Sequence, residues 1–159
     1  CTGSGVIAIS VKKYRNDLAV FGCDISYDAL QVAKKNSNAL TDNSVGLIHC
    51  HLLESFKEKS FDLIATNPPY VDKKLKGSLQ KDLDYEPEIA LYAKDRGFEI
   101  IEKILAHSSF YLKDKGVLLI ELDETIKQDV LTKGKESGFE VSILNDYTNN
   151  PRVAVCKKV

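Results

Sequence analysis

Short, strongly apolar runs alternate along the chain with longer stretches in which apolar residues recur every three or four positions. The first kind reads as strands buried on both faces, the second as amphipathic helices. After a glycine-rich opening, residues 6–11 (Val-Ile-Ala-Ile-Ser-Val) predict a helix leaving a tight turn. Residues 18–24 predict a short buried strand with Asp24 at its end. Ser26 is placed to cap a following helix whose Leu30, Ala33, Ser37 and Leu40 share one face. Residues 45–50 and 61–66 predict two further strands, the second stopping at Asn67-Pro68-Pro69-Tyr70, because two prolines cannot continue a central ladder. Residues 71–97 show no clear period. That stretch is longer than the roughly 12–15 residues beyond which structureless loops become uncommon, so it predicts a functional or disordered loop. Phe98, Ile101, Ile104, Leu105, Ser108 and Leu112 then form a helical stripe, and residues 116–122 an apolar strand. Residues 124–136 predict a helix with Ile126, Val130 and Leu131 facing inward and Gly138 as its stop. Residues 139–144 and 152–157 predict two strands joined by a polar connection without a helix, most simply an antiparallel hairpin.

Strands alternating with helices predict one α/β domain over residues 1–159, with a mostly parallel sheet and a C-terminal antiparallel hairpin. No internal repeat or low-complexity tract interrupts it. Composition narrows the class further. At 43% hydrophobic and 28% charged the chain is globular. Its apolar runs fall far short of the roughly 20 residues a membrane span needs. With 22 Lys+Arg against 23 Asp+Glu, it lacks the basic excess of a sequence-independent phosphate binder. The chain begins with Cys1 and contains no Met, which reads as a piece of something longer. Its four cysteines are widely separated, with no C-x-x-C and no His at finger spacing, so neither a zinc site nor a disulfide framework is expected. Cys23, Cys50 and Cys156 lie in or beside apolar runs and read as small buried hydrophobes. This cysteine usage predicts a cytoplasmic protein.

Two features carry candidate chemistry. Thr2-Gly3-Ser4-Gly5 opens onto a helix, where backbone N–H groups and the positive end of the helix dipole can receive an anion. A Gly-Ser-Gly run is also a common flexible turn, but Asp24 follows Gly3 by 21 residues at the end of the next strand. A nucleoside-binding sheet places a carboxylate on the ribose hydroxyls at that spacing. No lysine follows the loop as it does in a P-loop. The second feature is Asn67-Pro68-Pro69-Tyr70, at the carboxyl end of a buried strand, the edge at which open α/β folds bind ligands. An amide nitrogen is a poor nucleophile because its lone pair is delocalised. The Asn67 side-chain oxygen and the Pro68 carbonyl can each accept one N–H of an NH₂ group and aim it at an electrophile. The proline rings stiffen the loop, and Tyr70 offers a flat face to a planar group. Orientation of this kind is worth up to about 7–11 kcal/mol. The motif holds no strong base, which suits transfer to a neutral amide whose proton leaves after the bond forms.

These residues resemble those of the class I methyltransferases that use S-adenosyl-L-methionine, and most closely the release factor glutamine methyltransferases, the PrmC or HemK family. Thr2-Gly3-Ser4-Gly5 resembles the family's G-T-G-S-G loop, with Cys1 at the first glycine. Asp24-Ile25-Ser26 resembles its ribose-binding segment, Asn67-Pro68-Pro69-Tyr70 its N-P-P-Y, and Arg152-Val153 its terminal R-V. Tyr85-Glu86-Pro87, Ala90-Leu91 and Gly97 fall where the family has its Y-E-P…A-L…G segment. The resemblance implies a Rossmann-like fold and methyl transfer from S-adenosyl-L-methionine to the side-chain nitrogen of the glutamine in the Gly-Gly-Gln loop of peptide chain release factors. It also implies roles. Cys1, Thr2, Gly3, Ser4, Gly5, Asp24 and Ile25 would hold the cofactor. Asn67 would face both cofactor and substrate, while Pro68, Pro69, Tyr70 and Glu86 would shape the glutamine pocket.

Two departures accompany the resemblance. Where the family carries an acid and a bulky residue near the adenine, this chain has His51 and Leu52. A neutral imidazole offers one acceptor nitrogen in place of a carboxylate's several. The family's first strand and its N-terminal helical domain are missing from these residues, so the piece expressed alone is expected to be unstable or inactive. Two rival readings stay open. The same motif can hold the exocyclic amine of guanine or adenine in a nucleic acid, for which only Lys73, Lys74, Lys76 and Lys81 offer a basic cluster, largely offset by Asp72, Asp82, Asp84 and Glu86. The piece could also be a degenerate, cofactor-binding fragment.

Overall fold

The computed structural model describes residues 1–42, 44–69, 71–72, 92–93 and 98–159. They divide into two compact units, Cys1–Phe56 and Lys57–Val159.

In the first unit, helix α1 (Val6–Tyr14) is followed by strand β1 (Phe21–Asp24), helix α2 (Tyr27–Thr41) and strand β2 (Gly46–His49). The two strands pair in parallel, with Cys23 opposite Ile48 and Asp24 opposite His49. A helix crosses between them, as a parallel pair requires. β1 is shorter than the apolar run suggests, although the Val20 carbonyl extends the ladder by accepting from the Gly46 N–H at 3.0 Å. Ala8, Ile9 and Val45 form the core of this unit, with Val20 and Leu47 against it. Leu30, Ala33 and Ser37 of α2 are buried as their spacing predicts. Leu40, in the last turn, is instead exposed.

The second unit contains strands β3 (Phe61–Thr66), β4 (Val71–Asp72) and β5 (Tyr92–Ala93), helix α3 (Phe98–Tyr111), strand β6 (Leu112–Glu121), helix α4 (Lys127–Glu136) and strands β7 (Phe139–Asn145) and β8 (Pro151–Lys158). β3, β6, β8 and β7 lie side by side in that order. β3 and β6 are parallel, while β8 runs antiparallel to both β6 and β7, so the closing hairpin inserts its second strand into the sheet. Leu118, Ile120, Ala154 and Cys156 are fully buried in its two central strands. The α3 stripe is buried at Ile101, Ile104, Leu105 and Ser108.

β6 starts earlier than its apolar run. Leu112 pairs with Phe61 and the register then shifts, with Lys115 at φ 64°. A side chain at Gly116 would meet the Lys113 carbonyl at 2.9 Å, which explains the glycine. The residues predicted as one helix over 124–136 begin as a 3-10 turn, Glu124–Ile126, and continue as α4. Its buried positions are Ile126, Val130 and Gly134, with Leu131 half-buried, and Gly138 at φ 83° follows its end. The closing turn is built on Asp146. Its Oδ1 accepts the Thr148 and Asn150 N–H groups and the Thr148 hydroxyl, and its Oδ2 faces Arg152.

Candidate cofactor loop and amide-binding motif

The carboxyl end of β1 organises the first site. The Cys1 nitrogen and the Thr2 N–H both donate to the Cys23 carbonyl at 2.9 Å, laying the opening residues along β1. Any side chain at Gly22 would meet the Thr2 hydroxyl at 2.7 Å, so glycine permits that approach. The loop then turns through Gly3 (φ 54°) and Gly5 (φ 84°), both left-handed. A Cβ on Gly5 would meet Ile9 Cδ1 at 2.8 Å and Ala33 Cβ at 3.1 Å, because the start of α1 sits tightly on α2. Ser4 is exposed, and its carbonyl accepts from Asn36 Nδ2 at 2.9 Å. No side chain caps α1, and no acid lies in its first turn.

Asp24 links this loop to the next helix. Its Oδ2 accepts the Gly3 N–H at 2.9 Å, and its Oδ1 accepts the Ser26 N–H at 2.9 Å. A carboxylate has about four lone-pair sites, so acceptor capacity remains for a ligand diol. Ile25 is exposed, and its carbonyl lies 2.8 Å from His49 Nε2.

The turn after β2 joins the same strand edge. His51 Nδ1 lies 2.9 Å from Glu54 Oε1, so the imidazole that stands in the family's acidic place has a carboxylate beside it. Glu54 was not singled out from the sequence, where its three-residue spacing from His51 was the available signal. Leu52 adopts φ 47°, and its carbonyl accepts from Cys23 Sγ at 2.9 Å and from Cys50 Sγ at 3.4 Å. Cys23 and Cys50 are therefore half-buried thiols with a polar partner, not the buried hydrophobes expected; Cys156 does meet that expectation. Together Cys1, Thr2, Gly3, Ser4, Gly5, Asp24, Ile25, His51 and Leu52 lie around the carboxyl ends of β1 and β2.

In the second unit the chain leaves β3 at Thr66, as predicted. Asn67 is exposed, Pro68 fully buried and Pro69 half-buried. A buried proline ring beneath an exposed amide fixes the backbone that presents Asn67. Tyr70 and Glu86 lie outside the described residues, as does the Y-E-P segment.

The model of the methyltransferase small domain matches residues 1–83, more than half of the chain. The chain belongs to this family. Its matched span runs from the glycine loop through Asn67 and Pro68. Relatives of this methyltransferase domain include the ribosomal protein uL3 glutamine methyltransferase of Xanthomonas campestris pv. campestris, 39% identical over 125 residues, which cover 79% of this chain and 41% of that protein. The release factor glutamine methyltransferase of Buchnera aphidicola subsp. Schizaphis graminum is 36% identical over 159 residues, 99% of this chain and 57% of that protein. The domain thus spans about half the length of these relatives. Among solved structures, the ribosomal protein L11 methylase of Lactobacillus delbrueckii subsp. bulgaricus superposes with a TM-score of 0.71 at 18% identity, covering 99% of this chain and 67% of that one. That likeness shows the fold, a Rossmann-like α/β methyltransferase fold.

The residues fit S-adenosyl-L-methionine. The uncapped start of α1 presents backbone N–H groups suited to a carboxylate. Open space above Gly3 leaves room for close approach, and Asp24 keeps acceptors for a ribose.

Proposed function

We propose that the chain is the catalytic part of a protein-(glutamine-N5) methyltransferase using S-adenosyl-L-methionine, whose substrate is the glutamine of the Gly-Gly-Gln loop in peptide chain release factors. The observation that carries this reading is Asn67-Pro68-Pro69 standing directly at the end of β3, with the amide exposed and the first proline buried. In a glutamine methyltransferase, Asn67 Oδ1 accepts one N–H of the substrate amide and the Pro68 carbonyl accepts the other. Two fixed acceptors hold the nitrogen in one orientation and raise electron density on it. Tyr70 and Glu86 complete the pocket in this reading.

Bound S-adenosyl-L-methionine supplies a methyl group on a positively charged sulfur. Cys1, Thr2, Gly3, Ser4, Gly5, Asp24 and Ile25 would hold it, with Asp24 on the ribose and His51 and Leu52 near the adenine. In the tautomer that donates Nδ1–H to Glu54, the His51 imidazole offers Nε2 as an acceptor for an amine. The amide nitrogen loses its proton after the new bond forms, so no strong base is needed.

The relatives named for ribosomal protein uL3 support a second substrate on the same chemistry. Incubation of the full-length protein and cofactor with a release factor and, separately, with uL3 distinguishes them by mass spectrometry. The proposal expects one added methyl on the Gly-Gly-Gln glutamine. Methylation of uL3 alone would move the substrate, and methylation of neither protein would refute the reading. The reading also expects a cytoplasmic enzyme. No helix among the described residues is long and apolar enough to cross a membrane.

A further inference from the structure

Cys23 and Cys50 have no role in the reaction proposed above, yet the fold brings them together. Cys23 pairs with Ile48 across the parallel ladder, and Cys50 follows Ile48 by two residues. Alternation along a strand puts residues two apart on one face, so Cys50 shares the face of Cys23. The Cys50 N–H continues the ladder by donating to the Asp24 carbonyl at 3.1 Å. Both thiols then converge on one acceptor, the Leu52 carbonyl, at 2.9 Å from Cys23 and 3.4 Å from Cys50. Burial, and after it the neighbouring Cys50 thiol, pushes the Cys23 thiol up to about 11. Leu52 itself is held in the left-handed region, which a branched apolar residue rarely adopts. Its carbonyl has two S–H donors to keep it there.

We propose that Cys23 and Cys50 form a reversible disulfide that withdraws both donors from the Leu52 carbonyl and loosens the turn after β2. The oxidant is a small-molecule disulfide such as glutathione disulfide. The Cys50 thiolate attacks one sulfur of the oxidant, a Cys50–glutathione bond forms, and one glutathione thiolate leaves and takes a proton. Cys23 then loses its proton to solvent and attacks Cys50 Sγ, and the second glutathione leaves as thiol. Two protein thiols and one glutathione disulfide become one protein disulfide and two glutathione thiols, so electrons and protons balance. Thiolate attack through a mixed disulfide is the ordinary route for such exchange. A disulfide sulfur donates no hydrogen bond, so the Leu52 carbonyl is left without either partner.

The cross-link rests on the shared face of the ladder and the shared Leu52 acceptor. Its consequence for cofactor affinity rests on the proposed function, because Asp24 adjoins Cys23 and His51 adjoins Cys50. The test therefore reads both. The full-length protein is equilibrated with graded mixtures of glutathione and glutathione disulfide. It is then mapped by peptide mass spectrometry without reduction, and hydrogen exchange is followed over residues 50–56. The expected result is a Cys23–Cys50 linked peptide that reductant removes, with faster exchange in that turn and weaker cofactor binding. Cys50→Ser keeps a hydroxyl donor for the Leu52 carbonyl, and should show neither link nor faster exchange under the same oxidant. Mixed glutathione adducts that never resolve to the linked peptide would overturn the proposal. So would a link that leaves exchange over residues 50–56 unchanged. A link with faster exchange but unaltered cofactor binding would uphold the disulfide and count against the cofactor site.

Discussion

Helices α1 and α2 both begin at the carboxyl end of β1, and they begin differently. Ser26 caps α2, accepting the Ala29 N–H at 3.2 Å, and Asp28 sits in its first turn. Helix α1 starts from Gly5 at φ 84°, with no side-chain cap and no acid. Capping satisfies one of the donors that a helix start leaves without an intrahelical partner, and an acid answers the dipole. The start of α2 thus carries a side-chain cap and an acid, and the start of α1 carries neither. Asp24 lies between them and serves both, giving one oxygen to the Gly3 N–H and the other to the Ser26 N–H.

This contrast can be broken from either side. The largest effect is expected from Asp24→Asn, which removes a charged acceptor from the cofactor side and replaces one carboxylate oxygen with an NH₂ that opposes an N–H donor. Hydrogen bonds to charged groups are worth about 1.5–3 kcal/mol each, so cofactor affinity by calorimetry should fall about 10–100-fold. A variant that binds as tightly as wild type would remove Asp24 from the cofactor site. Gly5→Ala comes next. It forces a residue with a side chain to keep positive φ and to displace Ile9 and Ala33. Strain and overpacking together should cost about 2–4 kcal/mol, read as a lower denaturation midpoint. Ser26→Ala should cost about 1 kcal/mol of stability, the usual value of an N-cap, and leave cofactor affinity unchanged. Equal loss of affinity in Ser26→Ala and Asp24→Asn would erase the distinction between the two helix starts.

The smallest effect lies in the second unit. The Thr148 hydroxyl, then the Asn150 N–H, hold the Asp146 carboxyl down to about 2 against an ordinary value of 3.8. A lowered carboxylate pKa stabilises the fold above the unfolded value and loses that contribution as pH falls from 3.8 towards 2. Acid titration of Asp146→Asn should therefore show a shallower loss of stability in that window than wild type does.

How much of this was legible in sequence depended on how local the cause was. The stripe on α3, the Ser26 cap, the strand stop at the two prolines and the antiparallel hairpin all follow from neighbours within a few residues, and all appear. The misplacements are tertiary. Leu40 matches the helical period but lies beyond the surface that α2 covers. β6 begins early because Leu112 finds Phe61 across the sheet. The insertion of β8 between β6 and β7 is a pairing choice that no window of sequence contains. At the site, Gly3 and Asp24 were readable because their spacing is set by one loop, one helix and one strand. The Cys23–Cys50 convergence depends on the register of β1 against β2, and two isolated cysteines carry no sign of it.

In the proposed reaction Asn67 faces both cofactor and substrate and holds the substrate amide with Pro68, while the glycine loop and Asp24 carry most of the cofactor's binding. The most direct test is the rate of methyl transfer to the glutamine substrate by full-length Asn67→Ala at saturating cofactor, with cofactor affinity measured on the same sample. Removing one preorganised hydrogen-bonding group from a reacting centre costs on the order of 100–1,000-fold in rate. The expected result is a loss of at least that size with cofactor affinity nearly intact. Transfer at the wild-type rate would contradict it.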